Sequence, residues 1–263
     1  MNKNIIFVWT TKPSNLTPTD SWGFWGIGDI IRGIIGTYQI AKKLNYNFYI
    51  DIQNHPISKF LEPHYHPFFN DVKDKPIPFI FPNKVETFFI ESNQENIYLI
   101  TNEIYKDEPE IEILNYIKNI LTPNKEFSQE FREIFNHLNL KNNYSVIHFR
   151  LGDKELIENK LNESYIHRAL NLYNKHKEEN QLLVSDSLEL RKQLKEKFDF
   201  NQYEIKIPAH FGFTNHSYFI KDTLIEFFLL LKSSKIKTYS VNGWISGFAK
   251  SASVINNIPL ESM

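Results

Sequence analysis

Apolar positions in the second half of the chain alternate between two rhythms. Short, nearly unbroken runs at Ser145–Phe149, Gln181–Ser185, Tyr203–Ile207 and Lys235–Tyr239 read as buried strands. Between them, apolar residues recur every three or four positions, as helices require. Tyr165, Ala169, Leu172 and Tyr173 mark a helix over Glu163–Lys175, and Leu188, Leu190 and Leu194 mark one over Ser187–Lys197. An apolar helix follows over Asp222–Lys232, with Asp222 as its expected N-cap, and a last helix over Ser246–Ile255. Strands and helices alternating in this way predict βαβ units and a parallel sheet.

The first half begins alike. Strands are predicted at Asn4–Trp9 and Asn47–Ile50, flanking a helix over Asp29–Leu44 whose Ile30, Ile31, Ile34, Ile35, Tyr38 and Ala41 make a wide apolar face. Beyond an irregular, Pro/His-rich stretch from Pro56 to Pro82, the pattern predicts strands near Val85–Ile90 and Ile97–Ile100, then helices over Glu110–Ile120 and Glu126–Leu138. The polar break Asn139–Asn143 places a boundary near Asn142, giving an α/β domain over residues 1–142 and a Rossmann-like domain over 143–263. Two such halves facing across a cleft would place a ligand at the carboxyl ends of their strands.

Composition narrows the partners. The 263 residues include 41% hydrophobic and 23% charged residues, as in an ordinary globular protein. Lys+Arg number 30 and Asp+Glu 31, so no basic excess points to nucleic acid, although a nucleotide needs only one or two cations. The absence of cysteine excludes disulfides and thiolate chemistry and fits a reducing, cytoplasmic setting. No targeting segment is expected, and the longest apolar run, Leu224–Leu231, falls short of the ~20 residues of a membrane span.

Four constellations carry the candidate chemistry. Gly26-Ile-Gly28-Asp29-Ile-Ile-Arg32 opens the first long helix, where glycines admit a close ligand and free N–H groups attract an anion. Position 31 is Ile, so the G-x-G-x-x-G dinucleotide fingerprint is broken. The plainer alternative is a structural turn with Asp29 as the helix N-cap. His148-Phe-Arg150-Leu-Gly152-Asp153 ends a buried strand, where a guanidinium is costly unless it is paired or faces a ligand. Its planar fork suits a diphosphate. The alternative is an Arg150–Asp153 ion pair with His148 as a core histidine. Ser185-Asp186-Ser187 after the next strand can contact a ribose or base, or simply cap the following helix. Asp222, Glu226, Ser246 and Gly247 form the fourth set: Glu226 interrupts an apolar helix and needs a partner, and the Ser246-Gly247 turn can hold a phosphate. His210 is a further candidate to sit over a sugar. His55, His64 and His66 would need carboxylates to make a metal site. No D-x-D sequence is present to hold a metal on a diphosphate, so no metal site is expected and Arg150, with Arg32 and helix N-termini, would neutralise the leaving group.

In order along the chain, these motifs resemble the fucosyltransferase group that includes α1,2- and α1,6-fucosyltransferases and protein O-fucosyltransferases. Gly26-x-Gly28-Asp29-x-x-Arg32 is similar to their N-terminal glycine loop, and His148-x-Arg150-x-Gly-Asp153 to their H-x-R-x-G/T-D motif. Ser185-Asp186-Ser187 is similar to their S/T-D-D segment, with Ser187 in place of the second acid. The stretch from Asp222 through Ser246-Gly247-Phe248 is similar to their closing motif, without its paired aromatics. The resemblance implies a GT-B-type fold, an acceptor side in residues 1–142, and a donor side in 143–263 that takes a GDP-sugar as co-substrate. It also implies metal-independent, inverting transfer to a glycan hydroxyl without other cofactors. By the match, Arg150 would bind the β-phosphate, His148 and Asp186 would lie near the guanosine, and Ser246 and Gly247 near the phosphates. Asp29 is the first choice of base, followed by Asp153 and Glu226. Transfer from another nucleotide sugar, or a non-catalytic nucleotide- or sugar-binding module, remains the alternative.

Overall fold

The computed structural model describes residues 2–10, 14–15, 26–53, 55–152, 162–205 and 217–263. Among these residues the chain divides after Asn124 into two compact units. In the first, strands β1 (Asn4–Val8), β2 (Asn47–Asp51) and β3 (Asn96–Leu99) form a parallel sheet in the order β2-β1-β3. All five residues of the central strand β1 are buried, as a parallel strand covered on both faces requires. Helices α1 (Ile27–Lys43), α2 (Val85–Glu91) and α3 (Ile111–Ile120) accompany it.

Two expectations fail here. Val85–Ile90 is helical: Val85 and Phe89, four positions apart, enter one core cluster with Ile5, Ala41, Ile97 and Leu99, while Ile90 is exposed. A short apolar run fits either period, and packing chose the helical one. At α1 the N-cap position belongs to Gly26, and Asp29 lies within the first turn. Further along, a Cβ on Gly33 would stand 1.9 Å from the Thr101 carbonyl oxygen, so this glycine lets the helix lie directly on neighbouring backbone.

The second unit begins with α4 (Lys125–His137) and contains a five-stranded parallel sheet. Its strands are β4 (Ser145–Arg150), β5 (Gln181–Ser185), β6 (Asn201–Gln202), β7 (Lys235–Ser240) and β8 (Leu260–Ser262), in the order β6-β5-β4-β7-β8. Between them run α5 (Glu163–His176), α6 (Leu188–Lys197), α7 (Ser217–Lys232) and α8 (Gly247–Asn256). One core cluster joins Ile147 and Phe149 of β4 to Ile166, Ala169, Leu170 and Tyr173 of α5 and Leu190 and Leu194 of α6.

The boundary precedes Asn142 because α4 packs against α7 of the second unit. Phe127 and Phe131 meet Phe228 at ring-centroid distances of 5.7 and 6.0 Å, and Glu130 pairs with Lys221 at 2.7 Å. α7 begins at Ser217, so Asp222 is a buried residue inside the helix and not its cap. The strand expected at Tyr203–Ile207 pairs instead at Asn201–Gln202, and residues 206–207 lie outside the described set. β8 pairs with β7 at the edge of the sheet and is largely exposed, so it shows no apolar run. Among the described residues, no helix is long and apolar enough to cross a membrane.

Candidate active site

From β4 the chain crosses to β5 and then β6 on one side, and it returns to β7 and β8 on the other. The carboxyl ends of β4 and β7 are therefore where consecutive connections diverge, the topological switch point at which doubly wound sheets bind ligands. Arg150 is the last residue of β4, in register with Ser240 of β7, and its carbonyl accepts from the Val241 amide at 3.1 Å. Next comes Gly152 at φ +105°, where a Cβ would stand 3.3 Å from Val241 Cγ2. An L side chain rarely adopts that backbone, so the glycine is required by conformation as well as space.

Asp186, just beyond β5, organises this turn. Its Oδ2 accepts from an Arg150 guanidinium nitrogen at 2.5 Å and from the Gly152 amide at 3.2 Å, and its Oδ1 accepts from the Leu151 amide at 2.8 Å. The side chains of Arg150 and Asp186 are 19% and 11% exposed. Asp186 therefore does not cap a helix: it stitches β5 to the end of β4. The cap of α6 is Ser187, whose Oγ accepts from the Leu190 amide at 3.1 Å.

His148, two residues upstream, faces the interior. Its Nδ1 lies 3.0 Å from Thr238 Oγ1, and its ring stacks on Phe248 of α8 at 5.9 Å. Burial, and then the charges of Arg150 and Arg191, push its pKa down to about 3, so the imidazole is neutral and serves to pack α8 against the sheet. The N-cap of α8 is Ser246, which makes no side-chain cap hydrogen bond, and the first turn holds no acidic residue. No acidic residue of the helix's own first turn offsets its N–H groups and dipole, which suits an anion.

Behind the turn lies a buried network of which the sequence disclosed only part. Arg191 of α6 donates to the Ser185 carbonyl through Nε at 2.8 Å and through a terminal nitrogen at 2.6 Å, and pairs with Glu226 of α7 at 2.5 Å. Burial lifts the Glu226 carboxyl above its ordinary value, with Arg191 opposing. Tyr203 donates its hydroxyl to Asp222 at 2.8 Å. Glu226 is accordingly the interior counter-charge of Arg191, which holds the end of β5, and Asp222 is an interior acceptor for Tyr203. Arg191 was not among the residues that the sequence singled out, yet it falls between Leu190 and Leu194 on the core side of α6, and that spacing was the available signal.

In the first unit, Asp29 pairs with Arg32 at 2.8 Å, and Arg32 Nε donates to the Asn102 carbonyl at 3.2 Å. Gly26 has φ −59° and ψ 147°, a conformation open to any residue, and Gly28 is buried within α1. Of the histidines named as possible metal ligands, His66 bonds Asp51 at 3.0 Å, His64 lies against Tyr116 at 5.5 Å between ring centroids, and His55 stacks on Trp9 at 4.8 Å. Among the described residues no group of three His, Cys, Asp or Glu is placed to hold a metal ion. Asp153 and His210 lie outside the described residues. The structure therefore brings Arg150, Asp186, Ser187, His148, Ser246 and Gly247 together at one end of one sheet, and holds Gly26, Gly28, Asp29 and Arg32 in the other unit.

This architecture matches solved structures. NodZ α1,6-fucosyltransferase soaked with GDP-fucose superposes with a TM-score of 0.55, covering 97% of this chain and 93% of that one at 13% identity. Fucosyltransferase NodZ from Bradyrhizobium, as the selenomethionine protein, superposes with a TM-score of 0.57, covering 96% and 91% at 13% identity. The fold is that of NodZ. A third structure, NodZ co-crystallised with GDP, gives 0.54 at 14% identity over 96% of this chain and 92% of that one. No protein-family model matches the sequence, and no curated protein sequence matches it.

Proposed function

We propose that the chain is a glycosyltransferase of fucosyltransferase type. It transfers a sugar from a GDP-sugar, foremost L-fucose from GDP-fucose, to a glycan hydroxyl, with inversion and without a metal. The observation that carries this reading is the position of Arg150. Arg150 ends the central strand at the switch point, next to the Gly152 turn and at the end of the sheet from which the β7 connection leads into α8, in a fold shared with a fucosyltransferase soaked with GDP-fucose.

In the proposed reaction an acceptor oxygen bonds to C1 of the sugar as the bond from C1 to the diphosphate oxygen breaks. The negative charge that develops on the diphosphate is met by Arg150 and by the N–H groups of α8 at Ser246 and Gly247, groups set in place before the reaction starts. Asp186 holds Arg150 and the Leu151 and Gly152 amides in position, so its part is to orient. Asp29 is the proposed acceptor of the hydroxyl proton, and Asp29→Asn is expected to slow transfer while GDP affinity stays unchanged.

The deciding experiment is a thermal-shift panel of GDP, UDP, dTDP and ADP. A ligand at 100 times its Kd adds about 2.7 kcal/mol of stability. Stabilisation by GDP alone supports the reading, and stabilisation by UDP or dTDP instead assigns another donor. The ion pair already made by Arg150 favours a second reading, a nucleotide- or sugar-binding module without turnover. That reading requires GDP binding with no release of GDP from GDP-fucose in the presence of glycans over a long incubation.

A further inference from the structure

The connection from β7 to α8 carries an unexplained apolar side chain. Trp244 is 70% exposed and Ile245 39% exposed, although an indole is among the side chains that gain most from burial. The loop places Trp244 at the carboxyl end of β7, two residues before the Ser246 N-cap of α8. Gly243 precedes it with φ +78° and nothing within 4 Å of a Cβ. On the same loop Asn242 is half-buried, and its side-chain Oδ1 lies 3.8 Å from where a Cβ on Gly152 would stand. A flat apolar side chain and an amide, which both donates and accepts, thus sit on the loop that leads from β7 into the α8 end assigned to the diphosphate, the amide beside Gly152.

We infer that Trp244 and Asn242 form the subsite for the donor's sugar ring, the indole stacking on the ring's C–H face and the Asn242 amide bonding a ring hydroxyl. The chemistry favours the sugar over the base. The sugar is bonded directly to the diphosphate, and an aromatic plate beside a neutral amide suits a ring that is apolar on its face and hydroxylated on its rim. This inference rests on the donor reading above, and it names the element that selects the transferred sugar.

The test is calorimetric titration of the wild-type protein, Trp244→Ala and Trp244→Phe with GDP and with GDP-fucose, with circular dichroism to confirm folding. At 70% exposure the indole can be removed without disturbing the core. The expected result is that Trp244→Ala weakens GDP-fucose about tenfold, the scale of one aromatic stacking contact, leaves GDP unchanged, and is largely rescued by Trp244→Phe. Equal weakening of GDP and GDP-fucose would assign the indole to the nucleotide and overturn the sugar subsite, as would no change with either. If the wild-type protein bound neither ligand, the donor reading itself would fall, and the subsite with it.

Discussion

Removing the Arg150 guanidinium separates a ligand-binding role from a structural one, because the two roles differ in magnitude. The Arg150–Asp186 pair is 19% and 11% exposed. That places it between exposed pairs, worth about 0–1 kcal/mol, and buried ones, where loss of one partner costs about 3–5 kcal/mol. In Arg150→Ala, Asp186 still accepts from the Leu151 and Gly152 amides, so the stranded charge keeps two donors. The expected loss of stability is therefore about 1–2 kcal/mol, between those limits. Against a typical folding stability of about 5–15 kcal/mol, that loss leaves nearly all molecules folded. A group that stabilises the departing diphosphate is worth about 10²–10³ in rate, and unfolding on this scale cannot imitate such a deficit. The assay pairs urea denaturation with GDP-fucose turnover and GDP affinity for Arg150→Ala, Arg150→Lys and Asp186→Asn. Arg150→Ala should lose turnover and GDP affinity while remaining folded, and Arg150→Lys should recover only part, since an ammonium lacks the fork. Wild-type turnover and GDP affinity in folded Arg150→Ala would reduce Arg150 to a structural counter-ion and refute the reasoning.

Three further outcomes are expected from the geometry. His148 has its folded pKa pushed down to about 3 from an ordinary 6.5, so the unfolded chain binds the extra proton first. The stability that this residue contributes is full above pH 6.5 and is lost as pH falls toward 3, at no more than about 1.4 kcal/mol per pH unit. The stability difference between wild type and His148→Gln should therefore shrink over that window, and a constant difference would contradict the assignment. Arg191→Ala strands Glu226, 7% exposed at its side chain, and should cost about 3–5 kcal/mol in urea denaturation; a loss below about 1 kcal/mol, the scale of an exposed pair, would mean the pair anchors nothing. Gly33→Ala drives a Cβ to 1.9 Å from the Thr101 carbonyl oxygen. Overpacking of about 1–3 kcal/mol or more should outweigh the ~1 kcal/mol gained from helix propensity, so a raised Tm would disprove the close approach.

The sequence was most legible where a single local rule applied. Strands β4, β5 and β7 and the amphipathic faces of α1, α5 and α6 emerged near their true bounds, because burial on both faces gives a continuous apolar run and burial on one gives a 3.6-residue period. A guanidinium at the end of the β4 run was conspicuous for the same reason, since a charge in that setting demands a partner or a ligand. The chain by itself thus determined the α/β class, the alternation of elements and the prominence of Arg150.

Tertiary structure decided what local rules leave degenerate. The run at Val85–Ile90 satisfies both periods, and only contact with Ile5 and Ile97 made it a helix. α4 joined the second unit because its phenylalanines found Phe228. Arg150 took Asp186, 36 residues away, as a partner, and Glu226 took Arg191 across two helices. Pairings of this kind depend on which strand ends the crossovers bring together. A sequence names the groups that need partners, but the distance between residues far apart in the chain exists only once the sheet has formed.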